Sequence, residues 1–291
     1  MPRIAANTIE LHYESFGAAS APAVLLIMGL GAQLTRWNNA LCDLLVARGL
    51  RVIRFDNRDC GLSTHCDGMP LPDLGAAMRG GVLPALPYTL ETMAADSIGL
   101  LDALGIERAH IVGASMGGAI AQIIAARHPQ RTLSLTSIMS ASGNPLSPPP
   151  TPAAAMALFA PLPASRDRAS IVADAIARFV PVASPGYPTP LHELQTMFGR
   201  EYDRSFYPQG VARQLGALFA NGDRRPLLQT IRCPTVVLHG RNDPLIQLAC
   251  GADVASNIPA AQLRVIDGMG HDFPVVLSEI FADAICAAAR G

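Results

Sequence analysis

The stretch Gly113-Ala114-Ser115-Met116-Gly117 constrains this 291-residue chain more than any other feature. It has the form G-x-S-x-G and lies between a strand-like run and a helix-like run. Residues 109–113 (AHIVG) read as a short buried strand, and 116–127 as a helix of small residues ending before His128-Pro129. Serine then falls on the turn itself. A turn this tight forces the serine into a strained backbone conformation, while Gly113 and Gly117 keep side chains out of the space where strand and helix meet. The hydroxyl is left exposed above the sheet. A glycine-rich turn without chemistry would look the same in isolation, so the partners decide.

A nucleophilic serine needs a histidine base and a carboxylate that orients it, in the chain order Ser, Asp, His for a strand-turn-helix serine. Residues 235–239 (TVVLH) form a β-branched apolar run, and the following turn, Gly240-Arg241-Asn242-Asp243-Pro244, presents Asp243 at the strand's carboxyl end. Residues 263–266 read as the last strand. The glycine-loosened loop Asp267-Gly268-Met269-Gly270-His271 follows, and His271 is the candidate base. Of the seven histidines, His12, His110, His128 and His192 sit where surface or packing roles suffice, and His65 lies in a polar loop. His239 competes, being close to Asp243, but it closes a strand, where a structural role is expected. Asp267 and Asp272 flank His271, yet neighbours along a loop rarely point at the same ring, which leaves Asp243 as the orienting acid.

Acyl transfer also needs two preorganised backbone N–H donors for the oxyanion. Met116, after the serine, supplies one. Residues 23–28 (AVLLIM) form a buried-strand run into Gly29-Leu30-Gly31-Ala32, whose glycines permit close backbone approach, and the Leu30 amide is the second candidate. Gly29 and Gly31 would equally serve a plain turn.

Elsewhere strands and helices alternate. Residues 50–55 read as a strand before the turn Asp56-Asn57-Arg58-Asp59-Cys60-Gly61, and 37–48 as a helix. Such alternation predicts an α/β fold, a mostly parallel sheet covered by helices on both faces, with functional residues in loops at the strands' carboxyl ends. Arg58 and Asp59 are expected to pin their loop rather than to contact substrate. From about 144 to 225 the pattern changes. Pro145, Pro148, Pro149, Pro150 and Pro152 read as a stiff linker, and helical stretches at 165–180 and 209–220 follow. The expected organisation is a core of 1–143 and 226–291 with a helical cap, 144–225, inserted between strands. Eight of the 15 aromatic residues fall in this cap: Phe159, Phe179, Tyr187, Phe198, Tyr202, Phe206, Tyr207 and Phe219. They either dock the cap on the sheet or line a pocket for a hydrophobic acyl or alcohol group.

Over nearly its whole length the chain resembles an α/β-hydrolase. Within that superfamily, LLIMGLGAQLTRW, VIRFDNRDCGLST and VGASMGGAIAQ resemble the aclacinomycin methylesterase type of carboxylic ester hydrolase. Where many relatives carry His-Gly before the oxyanion position this chain has Met28-Gly29, and where many carry Arg-Gly in the next turn it has Arg58-Asp59. The resemblance implies an α/β-hydrolase fold and a cofactor-independent serine esterase working through an acyl-enzyme. The same triad also serves lactone hydrolysis, carbon–carbon bond hydrolysis and cofactor-free haloperoxidase or perhydrolase chemistry. A non-catalytic small-molecule binding protein is the alternative of another class.

Charged residues make up 15% of the chain and hydrophobic ones 50%, so much of the surface is expected to be apolar, compatible with a homodimer. A net charge of −1 without Lys/Arg clusters argues against nucleic acid as a partner. No apolar run approaches the roughly 18 to 20 residues of a membrane span, and the amino terminus lacks a signal-peptide pattern, so a cytoplasmic protein is expected. The six cysteines lack C-x-x-C spacing, which gives no reason to expect a metal site.

Overall fold

The computed structural model describes residues 2–73, 75 and 86–290. Apolar runs too continuous for a half-exposed strand become the centre of one sheet. β3 (Ala23–Ile27), β5 (Ala109–Ala114) and β7 (Thr235–Gly240) are buried along their whole length, as strands covered on both faces must be. Around them lie β1 (Arg3–Ala6), β2 (Ile9–Phe16), β4 (Arg51–Phe55), β6 (Thr132–Ile138) and β8 (Gln262–Ile266). The sheet order is β1-β2-β4-β3-β5-β6-β7-β8; β2 is antiparallel to both β1 and β4, and all other pairs are parallel.

Alternation along each strand separates two core layers. Leu25 and Ile27 pack beneath α2 (Leu90–Ala103), α3 (Met116–Arg127) and α9 (Leu248–Asn257). Val24 and Leu26 pack beneath α1 (Asn39–Ala47) and α10 (Ser278–Arg290). Each strand thus buries its odd and even side chains against different helices.

Register sets the functional edge. Ile27 pairs with Gly113, Ala114 with Ile138, Ile138 with Leu238, and Gly240 with Ile266. The segments after β3, β5, β7 and β8 therefore leave one edge of the sheet side by side, although they are far apart in sequence.

Between β6 and β7 come α4 (Pro152–Phe159), α5 (Arg168–Phe179), α6 (Leu191–Arg204), α7 (Pro208–Ala220) and the short α8 (Arg225–Leu228). Pro152 does not break structure there. It is the first residue of α4, with the Thr151 hydroxyl accepting from the Ala154 amide, because a helix's first residue needs no amide hydrogen. α5 and α6 share a small core of Val172, Leu194 and Phe198, and the Phe179 and Phe198 rings meet edge to face at 5.6 Å. Some of the aromatic residues in this segment therefore hold the helices to one another. Among the described residues, no helix is long and apolar enough to cross a membrane.

Candidate active site

Ser115 occupies the turn between β5 and α3 at φ 54° and ψ −119°, a conformation that costs a non-glycine residue of order 1–3 kcal/mol and persists only where surroundings dictate it. The surroundings here are steric. A Cβ at Gly113 would lie 2.0 Å from the Gly117 carbonyl oxygen, and one at Gly117 would lie 2.1 Å from that of Ile27. The Ser115 amide donates to the Ile138 carbonyl at 2.9 Å, and the Ser140 hydroxyl donates to the Ser115 carbonyl at 2.8 Å. All of these clamps belong to the sheet, the exit of β6 and α3. The turn also places the serine at the amino end of α3, where free amides and the helix dipole favour negative charge.

His271 Nε2 lies 3.0 Å from Ser115 Oγ, and its Nδ1 lies 2.7 Å from Asp243 Oδ2. Asp243 is buried, and its other oxygen accepts the Leu245 and Ile246 amides at 2.9 and 2.8 Å. With Oδ1 so engaged, Oδ2 faces the ring. The loops carrying these two residues are joined to each other: the Asn242 amide donates to the Met269 carbonyl at 3.0 Å, and the Gly268 amide to Asn242 Oδ1 at 3.0 Å.

His239 has a different place. Its Nε2 donates to the Ile246 carbonyl at 2.7 Å and stands 3.6 Å from Asp243 Oδ2, and burial holds its pKa below the usual value. It is a neutral side chain under the acid's turn. Asp267 is exposed and paired with Arg241. Asp272 is buried and receives the Ser184 hydroxyl, and burial pushes its carboxyl up to about 6. Neither aspartate is hydrogen-bonded to the His271 ring.

The turn after β3 lies against the serine: a Cβ on Gly29 would stand 3.1 Å from Ser115 Cβ. Leu30 therefore follows directly on a residue packed against Ser115, and Met116 opens α3 immediately after it. Arg58 and Asp59 form buried ion pairs instead of facing the site. Arg58 binds Asp96 through Nε at 2.5 Å and Nη2 at 2.6 Å. Asp59 receives Arg213 Nε at 2.8 Å, Tyr88 hydroxyl at 2.7 Å and the Cys66 amide at 2.6 Å. Burial would raise the Asp59 carboxyl, but the Arg213, Cys66 and Tyr88 hydrogen bonds prevail and hold it below the usual range.

Residues of the helical insertion reach both flanks, and nothing in the sequence marks them. Gln214 on α7 accepts the Gly31 amide at 2.8 Å and donates to the Arg58 carbonyl at 2.8 Å. On the histidine side, the His271 amide donates to the Val182 carbonyl at 2.7 Å and the Gly270 amide to the Ser184 hydroxyl at 2.9 Å. Chemically, a hydroxyl facing an imidazole that faces a buried carboxylate can lose its proton as it attacks an electrophilic carbon.

A family model described as the alpha/beta hydrolase fold matches residues 22–276. Rhodomycin D methylesterase of Streptomyces peucetius is 26% identical, the match covering 98% of this chain and 96% of that protein. This agrees with a resemblance to the aclacinomycin methylesterase type. The 3-oxoadipate enol-lactonase 2 of Acinetobacter baylyi is 27% identical over 91% of this chain and 87% of its own. An enol-lactonase structure from Burkholderia xenovorans superposes with a TM-score of 0.75 at 24% identity, covering 100% of both chains. With the family model spanning most of its length and an eight-stranded, mostly parallel sheet between helical layers, the chain belongs to the α/β-hydrolase family.

Proposed function

We propose that this α/β-hydrolase is a serine esterase that cleaves carboxylic esters through an acyl-enzyme. The observation that carries the proposal is the continuous link from Ser115 Oγ through His271 to Asp243, at 3.0 and 2.7 Å. His271 Nε2 takes the serine proton as Oγ bonds to the ester carbonyl carbon. The carbonyl oxygen becomes an oxyanion held by the Leu30 and Met116 amides. Collapse breaks the carbon–oxygen bond, and His271 passes the proton to the departing alcohol. Water then adds to the acyl-enzyme by the same route, releasing the acid and restoring the Ser115 hydroxyl. Asp243 keeps the Nδ1 proton in place and stabilises the imidazolium. No step requires a cofactor.

In this reading 144–225 is a cap over a core of 1–143 and 226–291, and its apolar side chains favour a hydrophobic ester. The full-length likeness to a methylesterase supports an ester over other carbonyl substrates. A lactone is the second reading, favoured by the likeness to an enol-lactonase; the covalent steps are the same, with the leaving alcohol tethered to the acyl group.

The test is hydrolysis of p-nitrophenyl esters from acetate to long acyl chains, by the wild type and Ser115→Ala in parallel. Turnover by the wild type that disappears in the variant is the expected result. Equal turnover by both would overturn the mechanism. An inactive wild type whose Ser115 also resists an organophosphonate would favour a binding protein.

A further inference from the structure

The candidate oxyanion donor Leu30 N–H is held by three successive peptide constraints, and the last of them comes from the helical insertion. Asn57 Nδ2 donates to the Met28 carbonyl at 2.8 Å, which fixes the Met28-Gly29 peptide. The Ala32 amide donates to the Gly29 carbonyl at 3.3 Å. That carbonyl belongs to the same planar unit as Leu30 N–H, so in a trans peptide the N–H points the opposite way. The Gly31 amide donates to Gln214 Oε1 at 2.8 Å, which fixes the Leu30-Gly31 peptide.

Gln214 is fully buried, and its two ends meet opposite polarities: Oε1 accepts from Gly31, and Nε2 donates to the Arg58 carbonyl at 2.8 Å. Only a side chain with both a donor and an acceptor at its tip serves both. The neighbouring residue locks the same helix, since Arg213 grips Asp59 through two nitrogens, at 2.8 and 3.2 Å. Two consecutive residues of α7 thus hold two consecutive residues of the β4 turn, while Asn57, one residue earlier, holds the oxyanion loop directly. Packing agrees: a Cβ on Gly31 would stand 2.9 Å from Val211 Cγ2, so α7 rests on this loop.

We infer that Gln214 is a positioning residue: it carries the seating of the helical insertion into the orientation of the Leu30 amide, and so into stabilisation of the oxyanion. The inference rests on the serine-esterase reading. It makes the insertion part of the catalytic apparatus as well as a cover over it.

Gln214→Met keeps the length of the side chain and removes both hydrogen bonds. Loss of one oxyanion donor costs on the order of 10²–10³ in kcat, so loosening one is expected to cost roughly 10- to 100-fold. KM for p-nitrophenyl butyrate should stay within about twofold. The Ki of an alkyl trifluoromethyl ketone, whose Ser115 adduct places an oxyanion on the same amides, should rise in step with the loss of kcat. If instead KM rises while kcat holds, Gln214 only seats the insertion and the inference fails.

Should Gln214→Met not fold, Gln214→Glu decides. When protonated, the carboxyl reproduces both hydrogen bonds; when ionised, it sets an oxygen against the Arg58 carbonyl. Among the charged residues on the two elements it joins, Arg58 is paired with Asp96 and Arg213 with Asp59. Its kcat should therefore fall below that of wild type once the carboxyl is ionised, and a kcat equal to wild type throughout pH 6 to 9 would overturn the inference. A wild type without ester turnover or Ser115 labelling overturns the esterase reading and this inference together; an active wild type with unchanged kcat in both variants overturns this inference alone.

Discussion

The nucleophile turn and the oxyanion loop face each other across van der Waals distance, yet they are held by different parts of the molecule. The turn is fixed by the sheet: glycines at 113 and 117 packed against backbone, Ile138 and Ser140 on the next strand and its exit, and a serine strained by its own surroundings. The oxyanion loop is fixed partly by Asn57 and partly by Gln214, a residue of the insertion. In the proposed mechanism nucleophilicity is then a property of the core, whereas stabilisation of the oxyanion is tied to the insertion between β6 and β7. Residues of the first group should act on catalysis whatever the insertion does, and residues of the second should link catalysis to how the insertion is seated.

The largest effect belongs to the core. Ser115→Ala should remove on the order of 10⁶ in kcat while leaving the thermal midpoint nearly unchanged, since alanine keeps the same Cβ and the same backbone strain and loses only the contact of the hydroxyl with His271. Asp243→Asn comes next. The amide nitrogen can no longer accept from Nδ1–H while Oδ1 remains engaged by Leu245 and Ile246, so His271 is held in the wrong tautomer and kcat should fall by about 10⁴. Pre-steady-state measurement of p-nitrophenol release separates this from a binding defect. A variant within tenfold of wild type would mean that Asp243 does not orient the base.

Arg213→Met probes the other half. Asp59 would keep the Cys66 amide and Tyr88 hydroxyl but lose its counter-ion in a buried site, a change that typically costs about 3–5 kcal/mol. Urea denaturation should show a loss of this order. If the comparison holds, the folded fraction of Arg213→Met still reacts with an organophosphonate at Ser115, because its turn is braced by the sheet, while ester turnover per folded molecule drops. A fall in both to the same extent would erase the distinction between core-held and insertion-held machinery.

What the sequence made legible follows the same division. The segments of Ser115, Asp243 and His271 could be read because each is a local signal: an apolar run, then glycine-containing punctuation, then a chemically apt residue. Parallel register places their loops on one edge. Gln214 carries no such signal, since its partners Gly31 and Arg58 lie 183 and 156 residues away and the polarity it satisfies is that of backbone groups. β1 and β2 escape a reading built on continuous apolar runs because, as in Ile9–Phe16 (IELHYESF), polar residues are interspersed in the two antiparallel strands that end the sheet. Pro152 misleads for a related reason: proline at a helix's first position looks the same in sequence as proline in a linker.

The smallest expected effect concerns the insertion's contact with the histidine loop. Asp272 accepts from Ser184 through Oδ1, while among the described residues its buried Oδ2 has no hydrogen-bond partner. Burial raises this carboxyl from 3.8 to about 6. With the folded pKa above the unfolded one, the folded state binds the proton more tightly. Its contribution to stability is therefore fully present below pH 4, declines as pH rises toward 6, and is absent above that. A shift of about two units corresponds to about 3 kcal/mol at most. Asp272→Asn cannot ionise, so its thermal midpoint relative to wild type should climb between pH 4 and 6 and level off above. The variant's amide still accepts from Ser184, so the latch itself survives. A midpoint difference that stays constant from pH 4 to 8 would show that Asp272 titrates as an ordinary carboxylate, and that the insertion's hold on the histidine loop, unlike its hold on the oxyanion loop, carries no strained charge.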